Sequence, residues 1–314
     1  MVQKQKMNAS AGAPKGIRNR IRRSGSLYLI MLPAFLATLL FAYVPMYGVV
    51  LAFQKYNPTK GMFQQEFIGL RYFKKLFAMQ DFYQILSNTL MIAVLKIATL
   101  LIFALVLALL MNEVKNQKIR TLVQSLLTFP HFLSWTILGG LVKSVFSQYG
   151  IVNQILLWLG MENPILFMQD DTWFRVVLVI TNLWQEAGFS GMIYTAAISG
   201  VDPALYEAAR IDGANRLQQT WHITLKSIMP FVVLNVILNM GNVLNAGFDQ
   251  VYNLYNSVVI GSADIIDTFV YRVGLSGGQY SFGTAVGLFK SVISCILIGA
   301  SYLIANKKLG YRVF

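Results

Sequence analysis

Three asparagines, Asn235, Asn239 and Asn242, stand at i, i+4 and i+7 in an otherwise apolar run, so one face of a helix there is lined with amides. An amide in hydrocarbon is costly unless paired, and such a face belongs toward a bundle interior or a water-filled path. Each side chain offers donors and acceptors that match the hydroxyls of a neutral sugar. Hydrogen bonding between helices is the other use of the same face. A second polar patch, Asn182, Gln185, Glu186 and Phe189, recurs at helical spacing in another apolar run. Glu186 is the one acidic group placed well inside a predicted span, with three candidate roles: binding substrate, pairing with a lysine, or gating.

Lys96, Lys143 and Lys290 fall in the outer parts of three apolar runs. Their heads can snorkel to the interface or pair with acids. Alternatively, they form a basic outer vestibule that receives an acidic saccharide such as a uronate oligomer. His131 and His222 lack neighbours at metal-ligand spacing, so no metal site is expected. The single Cys295 supports no disulfide framework and is expected to be a small core residue. No paired carboxylates, His cluster or nucleophile–base set marks a membrane enzyme.

The elements that must position these groups are helices in a membrane. Hydrophobic residues make up 56% of the 314 and charged residues only 12%, about half the share usual in soluble domains. Apolar runs at 27–53, 88–111, 122–146, 174–199, 230–248 and 284–305 each suffice to cross a ~30 Å hydrocarbon layer. The expectation is an all-α integral membrane protein of about six transmembrane helices. Pro33 and Pro45 are expected kinks in the first span, and a short amphipathic piece at 151–160 reads as peripheral. The first run is too long for a signal-peptide core.

The net charge of +13 does not point to nucleic acid, because the basic residues flank apolar runs. With the basic tail 1–26 placed in the cytoplasm, Lys4, Lys6, Lys15, Arg18, Arg20, Arg22 and Arg23 lie inside. The 112–121 loop, the 200–229 loop and the C-terminal tail add nine more. Only Lys55, Lys60, Arg71, Lys74, Lys75 and Arg272 lie outside. The positive-inside rule then puts both termini in the cytoplasm.

The 200–229 loop carries the most specific signal. Asp202 and Pro203 are an N-cap followed by proline at the first helical position. Leu205, Ala208, Ala209 and Asp212 share one helical face, and Gly213 offers a left-handed stop. A short helix with small residues is predicted, one that a partner surface can approach closely. The run Glu207-Ala208-Ala209, then Asp212-Gly213-Ala214, Ile223-Thr224-Leu225 and Pro230 resembles the EAA loop of binding-protein-dependent ABC importer permeases. The likeness extends over residues 85–306 and is closest to the MalF-like sugar permeases. Among these it is most similar to the LplB group, as in Asn245-Ala246-Gly247-Phe248-Asp249-Gln250. Lys226 departs from the proline that many relatives carry, leaving Pro230 to supply the kink before the fifth span.

The resemblance implies the type I permease fold in the cytoplasmic membrane of a bacterium. It implies that Glu207, Ala208, Ala209, Asp212 and Gly213 couple to a cytoplasmic ATPase. The implied partners are two such ATPase subunits, a second permease subunit and an extracellular solute-binding protein. ATP and Mg would be used by the ATPase partners, with no cofactor in this chain. Asn235, Asn239 and Asn242 correspond to positions where such permeases touch sugar.

Residues 275–279 read Leu-Ser-Gly-Gly-Gln, the signature of ABC ATPases, where it heads a helix that binds a γ-phosphate. No G-x-x-x-x-G-K-[ST] loop accompanies it. The segment therefore reads as a turn before the last span, and no ATP hydrolysis is expected of this chain alone. The competing function is a secondary transporter or channel driven by an ion gradient. It lacks the inverted repeats such proteins carry.

Overall fold

The computed structural model describes residues 25–61 and 64–309. Most of the basic tail, with the seven basic residues expected in the cytoplasm, and Arg312 lie outside the described residues. The chain divides into two compact units, residues 1–50 and 51–314.

The first unit contains α1 (Gly25–Thr38), which runs on as a π turn, Leu39–Tyr43, and a 3-10 stretch beginning at Val44. Pro33 sits within regular helix, whereas Pro45 follows the π turn. Proline has no N–H to donate, so the helical ladder must be rearranged around it. The side chains from Ser26 to Met46 are exposed on every face, as suits a helix surrounded by lipid or by other helices.

The second unit opens with a two-residue antiparallel hairpin, β1 (Gln54–Lys55) and β2 (Glu66–Phe67). Gln65 closes its loop, accepting from the Asn57 N–H at 2.7 Å and donating to the Lys60 carbonyl at 2.9 Å. A short amphipathic α2 (Arg71–Ala78) leads to α3 (Gln80–Glu113), 34 residues long. At ~1.5 Å per residue α3 is about 50 Å long, enough to overrun the hydrocarbon layer. Next come α4 (Gln117–Thr128), a 3-10 turn at Phe129–Phe132, α5 (Trp135–Val145) and α6 (Ile151–Trp158). Then come α7 (Asp171–Ser199), α8 (Pro203–Ile211), α9 (Arg216–Gln219) and α10 (Leu225–Gly241). Short pieces α11 (Phe248–Leu254), α12 (Ile260–Ala263) and α13 (Ile266–Phe269) precede the long α14 (Tyr280–Leu309).

Among the described residues five helical stretches are long and apolar enough to cross a membrane, and α4 with α5 makes a sixth if that bent pair is one span. This agrees with the expected count of about six. The expected span over 122–146 is not one continuous helix: α4 and α5 meet at 102°. Pro130 and the following short turn end the first helix, and Ser134 opens the next in extended conformation. The expected span 230–248 likewise stops early, at Gly241. The turn that follows contains Ala246 at φ +46° and Gly247 at φ +82°, a left-handed pair that no helix accommodates.

Parallel packing of α3 on α7 is the backbone of this unit. Arg175 meets Asn88 near one end, and Gly191 meets Ala104 near the other, so the two helices run in the same direction at constant register. Two apolar clusters result. The larger includes Phe82, Ile92, Phe174, Leu178, Leu244, Leu254 and Ile266, and the smaller Ala104, Ala108, Tyr194, Ile198 and Ile228.

Much of the larger cluster comes from 249–269, which hydropathy leaves as an outer loop. Its polar groups are tied down: the Asn88 amide donates to the Gly261 carbonyl at 2.8 Å, Arg272 pairs with buried Asp264 at 2.6 Å, and Lys290 reaches Asp267 at 2.5 Å. Residues 275–279 form the expected turn into α14, with Gly278 at φ +68°. Peripheral-looking α6 is docked through buried Asn153, which bonds the Ser147 carbonyl and both backbone groups of Ile165. Cys295 is exposed on α14, not in a core. In a membrane an apolar run can face outward as readily as inward.

Candidate functional site

The connection between α7 and α10 builds a projecting helix by local rules alone. The Asp202 carboxylate accepts the Ala204 N–H at 2.9 Å, and Pro203 occupies the first turn. At the other end Gly213 turns left-handed at φ +78°, so that the Ala214 N–H reaches back to the Ala209 carbonyl at 2.8 Å, the 6→1 closure of a helix end. No residue of α8 is buried. Leu205, Glu207, Ala208 and Asp212 are exposed, Ala209 is half-buried, and Ile211 is 87% exposed. Leu217 and Trp221 add to the uncovered apolar surface. A polar loop that displays this much apolar surface next to two alanines is suited to a partner.

Beneath α8 lies a cleft of about 310 Å³ lined by Glu113, Tyr206, Glu207, Arg210, Arg216 and Thr224. The Tyr206 hydroxyl meets Thr224 Oγ1 at 2.9 Å, and Arg216 pairs with Glu113 at 2.7 Å. Asn215 and Gln218 cap α9 reciprocally. The backbone then widens into a π turn at Thr220–Thr224, ahead of Lys226, and helix continues through Pro230. The irregularity before the fifth span is therefore the π turn. Proline at 226 is not required for it.

The second set of candidates meets between α3, α7 and α10. A cavity of about 340 Å³ is lined by Lys96, Asn182, Gln185, Glu186, Asn239 and Asn242, together with the 245–250 turn. A neighbouring cavity of about 240 Å³ is lined by His131, Glu186, Phe189, Asn235 and Asn239. Glu186 and Asn239 belong to both, so the two spaces share a polar wall. All seven residues of the predicted pathway line one or the other. Within the wall, Asn239 donates to Asn235 Oδ1 at 2.6 Å and Asn245 to Asn242 Oδ1 at 3.0 Å. Buried Gln185 donates to the Leu133 carbonyl at 3.1 Å and so pins the α4–α5 break.

His131 is a residue that sequence reasoning missed. Its Nδ1 lies 3.1 Å from Glu186 Oε2, and its ring stacks on Phe189 with centroids 4.2 Å apart. Glu186 thus pairs with a histidine and not with a lysine. Gln250 was also missed: it is buried and donates to the Leu178 carbonyl at 2.8 Å and Thr181 Oγ1 at 2.7 Å.

The three lysines do not form one vestibule. Lys96 is 5% exposed and donates to the Ala246 carbonyl at 2.7 Å, holding the left-handed turn. Lys290 is taken up by Asp267. Lys143 is exposed beside a separate cavity lined by Phe146, Ser147 and Gln148. The partners of Lys96 and Lys290 lie in the 246–267 region, about 20 residues or more away in the chain, which is why spacing alone groups these lysines wrongly. Among the described residues no three His, Cys, Asp or Glu side chains are grouped to hold a metal ion.

Comparison with known proteins bears directly on this arrangement. Residues 100–311 match the family described as binding-protein-dependent transport system inner membrane component. The chain is 42% identical over 285 residues to Protein LplB of Bacillus subtilis, covering 90% of this chain and 89% of the relative. It is 43% identical over 282 residues to the polygalacturonan/rhamnogalacturonan transport system permease protein YteP of the same organism, covering 90% and 88%. A bacterial ABC transporter involved in import of the acidic polysaccharide alginate has a solved chain similar at TM-score 0.85 and 34% identity, covering 93% of this chain and 99% of that one. The same kind of transporter has also been solved in complex with an alginate pentasaccharide-bound periplasmic protein, at TM-score 0.84. The chain therefore belongs to the family of binding-protein-dependent transport system inner membrane components, the permeases of ABC importers.

Proposed function

We propose that this chain is a permease subunit of an ATP-driven ABC importer for sugars or oligosaccharides, working by alternating access in a bacterial cytoplasmic membrane. The observation that carries the reading is α8: a capped helix with no buried residue, standing off the bundle between two long membrane helices. A cytoplasmic ATPase dimer grips it, and ATP binding and release by that dimer, with Mg, move it. Such a partner shifts the permease between outward- and inward-open states only by binding the two differently. Glu207, Ala208, Ala209, Asp212 and Gly213 form the gripped surface. The alanines permit close approach, and the two acids face basic groups.

Solute arrives outside from a solute-binding protein and passes the amide wall of Asn182, Asn235, Asn239 and Asn242. Two groups support a saccharide cargo: these amides, which can both donate and accept, and the named substrates of the relatives. A second permease completes the pathway, and both termini lie in the cytoplasm on the positive-inside bias.

The test is uptake by proteoliposomes holding this chain with its genomic neighbours, the second permease, the ATPase and the solute-binding protein. Labelled oligogalacturonate, oligoalginate and maltotriose serve as probes. ATP-dependent accumulation of at least one is expected, with loss when Glu207→Lys, Ala208→Trp and Gly213→Val are combined. Accumulation driven by an ion gradient without ATP would instead establish a secondary transporter.

A further inference from the structure

The permease reading requires that a displacement of α8 reach the membrane helices, and α8 is poorly connected to do so. None of its residues is buried, and the cleft of about 310 Å³ separates it from the bundle. Movement imposed on such a helix is absorbed in the cleft unless rigid struts cross it. One side-chain link crosses it directly, and a second ties the helix that follows α8 to the end of α3. The Tyr206 hydroxyl bonds Thr224 Oγ1 at 2.9 Å, and Thr224 is itself 2% exposed, within the π turn that leads into α10. Arg216, three residues past the Gly213 stop, bonds Glu113 at the last turn of α3 with 2.7 Å between Nη1 and Oε2.

Beyond the struts lies the smaller apolar cluster, formed by Ala104 and Ala108 of α3, Tyr194 and Ile198 of α7, and Ile228 of α10. It is separate from the larger cluster, which lies further along the same helices α3 and α7. π turns recur at functional sites because the extra residue leaves a local irregularity that can adjust.

We propose that Tyr206–Thr224 and Glu113–Arg216 are positioning pairs that transmit the motion of α8 to the ends of α3, α7 and α10, making import tight to ATP hydrolysis. This rests on the permease reading above. The ion pair is exposed, 65% at Arg216 and 47% at Glu113, and pairs of that kind add little to folding stability. Its function is to hold a distance.

The experiment measures ATP hydrolysed per solute imported in the complete reconstituted importer, using whichever of oligogalacturonate, oligoalginate or maltotriose the wild type accumulates. Arg216→Glu and Glu113→Arg should each raise that ratio at least fivefold. The double exchange, Glu113→Arg with Arg216→Glu, should return it to within twofold of wild type. Tyr206→Phe, which removes only the hydroxyl, should raise it about twofold or more. Hydrolysis and uptake that fall in step, leaving the ratio constant, would overturn the proposal, as would a double exchange no better than either single change. A wild-type importer that accumulates no probe with ATP would remove the permease reading itself, and this proposal with it.

Discussion

Gly188 lies where α7 crosses α4, and replacing it with alanine should be costly. A Cβ there would sit 2.1 Å from the Leu127 carbonyl oxygen, 2.3 Å from its carbon and 2.7 Å from the Thr128 nitrogen. All three are backbone atoms, so no side chain can swing aside. An ordinary non-bonded separation is about 3.5 Å, so the helices must part by about 1.4 Å at this level. Two bonds lie within one turn: Gln185 to the Leu133 carbonyl and His131 to Glu186, both 3.1 Å. Neither survives such a shift. Overpacking of a core costs about 1–3 kcal/mol, and each lost hydrogen bond about 0.5–1.5 kcal/mol. Gly188→Ala should therefore destabilise by about 2–6 kcal/mol, and Gly188→Val by more. Thermal unfolding of the purified complex in detergent is the assay, with a fall of about 4–24 °C expected at ~2–4 °C per kcal/mol. An alanine variant that melts within 1 °C of wild type and imports normally would refute the close crossing.

Two further outcomes follow from Lys96 and Lys290. Lys96→Met removes the donor that holds the Ala246 carbonyl and should cost about 1–3 kcal/mol, typical of a carbonyl left unpaired in a buried site, read as a lower unfolding temperature of the complex. Asp267→Asn should cost about 1.5–3 kcal/mol because it takes the charged hydrogen-bond partner from part-buried Lys290. The pair Asp267→Leu with Lys290→Met should recover most of that loss, and a double variant as unstable as the single would contradict the reading.

Apolar runs and local capping chemistry made α3, α7, α14 and α8 legible in the sequence. The ends of α8 are set by Asp202, Pro203 and Gly213, each acting within a few residues, so one chain suffices to read them. The break between α4 and α5 was hidden because hydropathy counts Phe129 to Trp135 as apolar and carries no direction. Pro130 was the available signal. The 242–247 turn stayed hidden for a related reason: Ala246 at φ +46° is held by Lys96, 150 residues away in sequence. His131 and Glu186 are 55 residues apart, and no periodicity links them. Asn182, Gln185, Glu186 and Phe189 of α7, and Asn235 and Asn239 of α10, could be grouped from sequence because each helix brings its own set onto one face.

The gripping of α8 by the ATPase is open to one direct measurement. Cys295 is the only cysteine, so Cys295→Ser gives a clean background for a single Ala208→Cys at the exposed centre of α8. With the ATPase co-assembled, a short thiol-to-amine crosslinker should join the two chains, and adding ATP should change the yield. An assembled, transport-active complex that gives no permease–ATPase adduct from position 208 would contradict the coupling role of this helix.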